Sequence, residues 1–405
     1  MKPRLPSATV AVAGCLAALS ACATGAPYER DVAPTHAALD AGRPDQARSS
    51  LEALLADGRR DGPEGVLLRL EVGVVALHQG LPAVAAGALA QADPLLEVVD
   101  LTKDDAGEVA SWLFADAARP YRSPAWEKLM VNVLGMGSRL AAGDLRGALV
   151  EARRFEVVAR FFNERSEDPG RVLAVGRLLA GVVHEANGRA RGARLYLEQA
   201  REALPGLFTV SGGQRDGELV VLVLGGRLPP KISRPVDVDT AARLAVQPTA
   251  ASNLRELGVK ELRVVGLGAD RPLEDVAVTV DGRALTVAWA NLATTARADF
   301  ERLTPKLAQA AITRAMSRQT VRRTVASADG QGQTQGLGHL LGGILAGTME
   351  ATDTPDTRSW STLPARLGVA RLPVPPGSYT VTAGDHDATV EVRAGRPSLA
   401  LLVVD

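Results

Sequence analysis

Four times between residues 31 and 203, a glycine closes one apolar-periodic stretch and stands five residues before an alanine in the next. The pairs are Gly42 and Ala47, Gly80 and Ala85, Gly143 and Ala148, and Gly188 and Ala193. Glycine takes the left-handed conformation that ends a helix at little cost, and a small residue one turn into the next helix lets the two pack closely. The phrase therefore predicts helical hairpins. Residues 68–77 pair with 82–92, 124–140 with 145–161, and 172–186 with 190–203. Ser123 is the expected N-cap, ahead of Pro124 at the first helical position, with Glu127 in the first turn near the positive end of the dipole. Stacked hairpins usually offer a surface to a protein or peptide rather than a catalytic pocket.

The intervals between these glycines are 38, 63 and 45 residues (80−42, 143−80, 188−143). A strict tetratricopeptide (TPR) array repeats at about 34 residues. The pattern is thus TPR-like, and hairpins without repeat ancestry stand as the second reading. Residues 93–122, with Trp112 and Tyr121, interrupt the series.

From Gly217 the period changes. Residues 219–224 and 262–265 are apolar, β-branched runs suited to buried strands. Residues 276–280 and 285–289 flank Asp281-Gly282, a pair that suits a type I′ hairpin turn in which Val278 faces Leu285 and Val276 faces Val287. Residues 293–326 read as one long helix whose exposed Arg314, Arg318, Arg322 and Arg323 complement its negative end. Residues 331–349 are glycine-rich, then apolar, with Gly338 and Gly342, and Gly343 and Gly347, at small-xxx-small spacing. This stretch is too short to span a bilayer. It is expected as a buried helix on the sheet, with a lipid-contacting or self-associating segment as the alternative. Strands return at 368–372, after the turn at Pro375-Pro376-Gly377, and at 388–392 and 398–404. The expected fold is α+β: a TPR-like α-helical hairpin domain over 31–205, then a mixed α/β domain over 206–405 ending in strands.

The N-terminus carries an address. Lys2 and Arg4 precede an apolar run over 8–19, too short for a transmembrane helix. Leu19-Ser20-Ala21-Cys22 then forms a lipobox, the cleavage and acylation signal of bacterial lipoproteins. Cys22 is the expected lipid-attachment residue after a 1–21 signal peptide, with 22–30 as the tether. Ala23, in place of Asp, favours an outer-membrane lipoprotein facing the periplasm over inner-membrane retention. The other cysteine, Cys15, lies in the leader, so neither a disulfide nor a Cys-based metal site is expected. Net charge is 0, so no strong steering toward nucleic acid or anionic lipid is implied, and aromatics at 3% disfavour a stacking surface for bases or sugars; nucleic acid is not an expected partner.

The search for chemistry finds little. His36, His78, His184, His339 and His386 are not at metal-ligand spacing from one another, and no HExxH, calcium loop, GxSxG elbow or Walker loop occurs. Residues 264–268 resemble the start of a dinucleotide loop, but Asp270, Arg271 and Pro272 stand where the third glycine and a helix belong. The most unusual polar cluster is Asp356-Thr357-Arg358-Ser359-Trp360-Ser361-Thr362-Leu363-Pro364. An Asp356–Arg358 pair beside Trp360 would either anchor this connection or form a binding edge, the structural role being the expectation. No catalytic residue, metal site or cofactor is expected.

Several stretches together resemble a family of uncharacterised bacterial lipoproteins with tetratricopeptide-like helices. They are the Cys22 lipobox, Tyr121-Arg122 with Trp126-Glu127-Lys128-Leu129, residues 143–154, and Asp356-Thr357-Arg358-Ser359-Trp360 with Leu363-Pro364. The resemblance carries no established activity. Members resemble envelope proteins encoded near activators of peptidoglycan synthases, which points to cell-wall assembly. The expected function is a lipid-anchored periplasmic scaffold or adaptor, not an enzyme, that meets the membrane through its anchor and binds an envelope protein. The alternative is an accessory lipoprotein for polymer or lipid export that self-associates, as a homo-oligomer, or contacts lipid through the glycine-rich segment.

Overall fold

The computed structural model describes residues 28–98, 120–164, 170–204, 207, 216–269, 276–329 and 355–404. Cys22, Trp112 and the glycine-rich segment 331–349 lie outside them. The chain is a mixed helix-and-sheet protein.

Among the described residues, eight α-helices come first: α1 (Tyr28–Asp40), α2 (Pro44–Ala56), α3 (Gly65–His78), α4 (Pro82–Ala92), α5 (Ala125–Ala141), α6 (Leu145–Glu164), α7 (Arg171–Ala186) and α8 (Ala190–Ala203). They pack in consecutive pairs. All four pairs turn in one way. Gly42, Gly80, Gly143 and Gly188 have φ of 65°, 67°, 74° and 67°. At each, the glycine N–H reaches back three residues and the next N–H reaches back five, as in Gly80 to Leu77 and Leu81 to Ala76. This pattern satisfies the last carbonyls of the first helix. The alanine five residues on is buried every time, Ala47, Ala85, Ala148 and Ala193 alike.

The start of α5 differs from expectation. Pro124, with φ −63° and ψ 154°, is itself the N-cap, and no side chain caps the helix. Ser123 is drawn into a two-residue parallel strand pair, β1 (Glu97–Val98) with β2 (Arg122–Ser123), where it is buried.

The remaining strands are β3 (Gly217–Gly225), β4 (Lys231–Asp237), β5 (Glu261–Leu267), β6 (Val278–Val280), β7 (Arg283–Ala284), β8 (Ala288–Asn291), β9 (Arg366–Val374), β10 (Gly377–Ala383), β11 (His386–Val392) and β12 (Pro397–Val404). One four-stranded sheet has the order β12-β3-β9-β8, with β12 parallel to β3 and the other neighbours antiparallel. A second has the order β11-β10-β6-β7. Strand β3 shows why its sequence is a continuous apolar run. Val220, Leu222 and Leu224 enter the core shared with the helices, while Leu219, Val221 and Val223 enter the core between the two sheets. Both faces are covered, so neither needs polar side chains.

The sheet lies against the inner helices. α3, α5 and α7 are buried nearly all round. Gly137 sets the approach of α5: a methyl group there would sit 2.8 Å from Leu222 and 3.5 Å from Leu401. The side of the hairpin stack that would otherwise be open is thus occupied by the chain's own β3, β9 and β12, and this core takes side chains from both sides of position 205.

The Asp281-Gly282 hairpin turns as expected, with φ of 47° and 77°, and the Leu285 N–H reaches the Val278 carbonyl at 2.8 Å. Its second arm is shorter than expected. After β7 the chain leaves the ribbon, and Trp289, on β8, joins the other sheet opposite Gly368. The absent side chain of Gly368 makes the seat: a Cβ there would meet the Trp289 ring at 2.7 Å. The Arg366 guanidinium lies 4.3 Å from the ring centroid on this residue, a favourable cation–π geometry.

A third core gathers the antiparallel ribbon β4–β5, two short helices, α9 (Val238–Leu244) and α10 (Ala250–Glu256), and the long helix α11 (Leu292–Asp329). Asp237 caps α9, accepting from the N–H groups of Asp239 and Thr240 at 3.0 and 2.9 Å. No helix among the described residues is long and apolar enough to cross a membrane.

Candidate functional site

The polar cluster at 356–364 forms a strap between α11 and β9, and its side chains are almost wholly buried. Asp356 and Arg358 form the expected pair. Nε and Nη2 of Arg358 donate to the two carboxylate oxygens at 2.9 and 2.7 Å, and the Arg358 backbone N–H joins them at 3.0 Å. Arg358 Nη1 also reaches the Pro63 carbonyl at 3.5 Å. Arg358 is only 4% exposed. Burial works against its charge, but the two-pronged bond from Asp356 raises the pKa of the guanidinium above its ordinary value. Trp360 is packed inside the same core as the helices, its indole N–H without a partner. Asp356 and Arg358 therefore meet as a brace, while Trp360 packs into the helical core.

Two carboxylates absent from that expectation hold the strap. Glu71, on α3, accepts from the backbone N–H and the hydroxyl of Ser361 at 2.9 and 2.7 Å. It also accepts from the N–H of Thr362 at 3.0 Å, from the Thr362 hydroxyl, and from the Tyr28 hydroxyl at 3.0 Å. Glu127, on α5, accepts from the Tyr121 hydroxyl at 2.7 Å and from the Trp360 backbone N–H. Burial pushes the Glu127 carboxyl up to about 7, against the opposing pull of Lys231 and the Tyr121 bond. Burial, then the adjacent Glu71 and Glu127, raise the phenols of Tyr28 and Tyr121 well above their ordinary value. One signal was present in the sequence: Glu71 is the lone acid in the apolar stretch 65–78. Glu127 was read only as a first-turn acid suited to the dipole.

Ser361 also touches His36, Oγ to Nε2 at 2.9 Å. A serine beside a histidine invites a nucleophilic reading, but the hydrogen bonds run the wrong way for it. Arg227 Nη1 stands 3.2 Å from His36 Nδ1. A guanidinium only donates, so Nδ1 accepts and the ring proton sits on Nε2. The Nε2–H then donates to Ser361 Oγ, whose own proton goes to Glu71. His36 cannot take the serine proton in this arrangement.

Beside these groups lies a half-open cleft of about 380 Å³ along α1. Its walls are mainly apolar, with Val32, Ala33, Leu228, Pro230 and Ile232, and His36, Arg227 and Ser361 form its polar side. Arg227 is buried at its side chain and pairs with the half-exposed Asp40. Sequence reasoning missed this cleft, because its walls come from three separated stretches. A second, larger cleft of about 650 Å³ surrounds Arg371, between α8 and the ends of β3, β9 and β12. Arg371 is spent there on Glu185 and Glu218, at 2.7 Å each.

Among the described residues, no group of three or more His, Cys, Asp or Glu could hold a metal ion. His184 lies tilted on Tyr196 with ring centroids 5.3 Å apart. No family model matches the chain, and neither a curated protein nor a solved structure matches it.

Proposed function

We propose that this protein is a lipid-anchored periplasmic scaffold or adaptor that binds an envelope protein, in cell-wall or outer-membrane assembly, and that it is not an enzyme. The observation that carries this reading is the strap. Its serine, threonine, arginine and aspartate are consumed in bracing, and the Ser361–His36 contact has the polarity of a bridge. Four helix pairs with one shared turn geometry support the TPR-like part of the reading. The lipobox at Cys22 supports outer-membrane anchoring.

The face that stacked hairpins ordinarily offer to a partner is covered here by the sheet. The docking position in this reading is the cleft along α1, whose size and mostly apolar walls with a few convergent polar groups suit an inserted side chain or short segment. A photo-crosslinking residue placed at Ala33 or Ile232 should trap one discrete partner in intact envelopes, while one at Gly87, which faces open space on α4, should not. Cys22→Ser should move the protein from the membrane to the soluble periplasmic fraction. A folded protein that yields no cleft-specific adduct would overturn the adaptor reading, and an unchanged membrane fraction would overturn the anchor.

A further inference from the structure

The outward side of α6 carries an unusual row. Arg146, Val150, Arg153, Val157 and Arg160 follow one another at spacings of four, three, four and three, which places them on one stripe of the helix. All five are exposed, Val157 to 70% and Val150 to 44%. The opposite side of α6 is ordinary core, with Ala148, Ala152, Phe155 and Ala159 buried. A solvent-facing stripe is normally polar throughout and mixed in charge. This one alternates cation and valine, and Glu156 beside it pairs with its last cation, Arg160, at 3.1 Å. The neighbouring α8 adds Leu195, 55% exposed, and is tied to α6 by the Tyr196 hydroxyl on Glu156 at 2.9 Å.

We propose that this stripe is a docking surface for anionic phospholipid headgroups. The guanidinium groups of Arg146 and Arg153 can take phosphate oxygens in pairs, and Arg160, held on Glu156, ends the row. Isolated valines between them can enter the boundary between headgroup and acyl chain without needing a shaped pocket. The row is about 21 Å long at 1.5 Å per residue, and it lies on the outer row of the helix stack. An acidic protein partner is the less fitting occupant: protein interfaces centre on aromatic anchors in pockets, and this stripe has neither. The proposal rests on the anchoring reading only to explain why a bilayer is close at hand.

The test uses residues 22–405 with Cys22→Ser, which contain every described residue and no acyl chain. The protein should partition onto phosphatidylglycerol-containing vesicles, weakly or not at all onto pure phosphatidylcholine, and less as salt rises. Arg146→Gln/Arg153→Gln/Arg160→Gln should lower that partitioning by roughly twenty-five-fold or more, about fivefold for each of Arg146 and Arg153. Val150→Ser/Val157→Ser should lower it severalfold while leaving the salt dependence in place. Circular dichroism and melting of each variant establish that the fold is intact. Equal partitioning onto both vesicle types would overturn the proposal. So would an unchanged triple-arginine variant, or a triple variant that loses only an envelope crosslink to an acidic protein. The mass of the N-terminal peptide of the wild-type protein reports acylation of Cys22 separately, so either reading can fail without the other.

Discussion

Glu71 and Thr362 stand 291 positions apart and meet through one carboxylate oxygen, which accepts both the N–H and the hydroxyl of the threonine. The other oxygen does the same for Ser361. A helix near the start of the fold thereby caps the backbone of a strap near its end. Buried donors are costly when unpaired, so this carboxylate is expected to matter more than any single apolar contact near it.

Glu71→Ala should destabilise the protein by at least about 3 kcal/mol, because it strands several buried donors at once. Glu71→Gln keeps an acceptor oxygen and should lose distinctly less. Urea unfolding of both variants checks the order; equal losses would mean that the volume of the side chain, rather than its oxygens, supports the strap.

Glu127 gives the fold a pH dependence of definite sign. Its carboxyl titrates near 7 when buried and at the ordinary carboxylate value of 4.5 when unfolded, so the fold favours the protonated form. That contribution is fully present below about 4.5 and is lost as pH rises through about 7, at most about 3 kcal/mol. Glu127→Gln should therefore be less sensitive to pH between 5 and 8 than the wild type, with its advantage growing toward the alkaline end. Melting curves across that range are the measurement.

Two glycines should respond oppositely to alanine. At Gly137 the added methyl meets Leu222 at 2.8 Å, and Gly137→Ala should cost about 1–3 kcal/mol as α5 is pushed off the sheet. At Gly87, on the exposed side of α4, nothing lies within 4 Å, and Gly87→Ala should stabilise by about 0.5–1 kcal/mol through helix propensity. Chemical denaturation of the two single variants decides it.

Val246, after α9, is 73% exposed and has φ of 55°, a conformation that a β-branched residue adopts only under strain. Its N–H and that of Gln247 close the helix end on Arg243 and Ala242 at 3.1 and 3.0 Å. Val246→Gly should keep that closure and raise stability by about 1 kcal/mol; a lower melting temperature would show that the valine makes a contact worth more than its strain.

What could be foreseen from sequence was what local chemistry decides. The four turns at Gly42, Gly80, Gly143 and Gly188 were legible because a left-handed helix end is settled within a few residues. So was the Asp281-Gly282 turn. The errors came where a distant residue holds the vote. Trp289 continues an apolar run and looked like hairpin, but Gly368 in another sheet supplies its seat. Residues 231–237 were given no reading in the sequence; among the described residues β4 pairs with β5 alone, and an edge strand can hold Pro235. At the strap, the Asp356–Arg358 pair was visible because a single residue separates its members. Its holders Glu71 and Glu127 were not, since no local pattern says which buried acid a strap hundreds of positions downstream will need.

The sheet that closes the inner helices has a consequence for how the chain reaches its fold. α7 ends at Ala186, while β9 begins at Arg366 and β12 at Pro397. Until those strands arrive, α3, α5 and α7 have no lid for their apolar sides, and the missing contacts are among the most non-local in the molecule. Such topologies fold slowly and expose sticky intermediates on the way. Synthesis and folding of this protein are thus separated by a vulnerable interval, in which the apolar sides of the inner helices stay open to wrong partners.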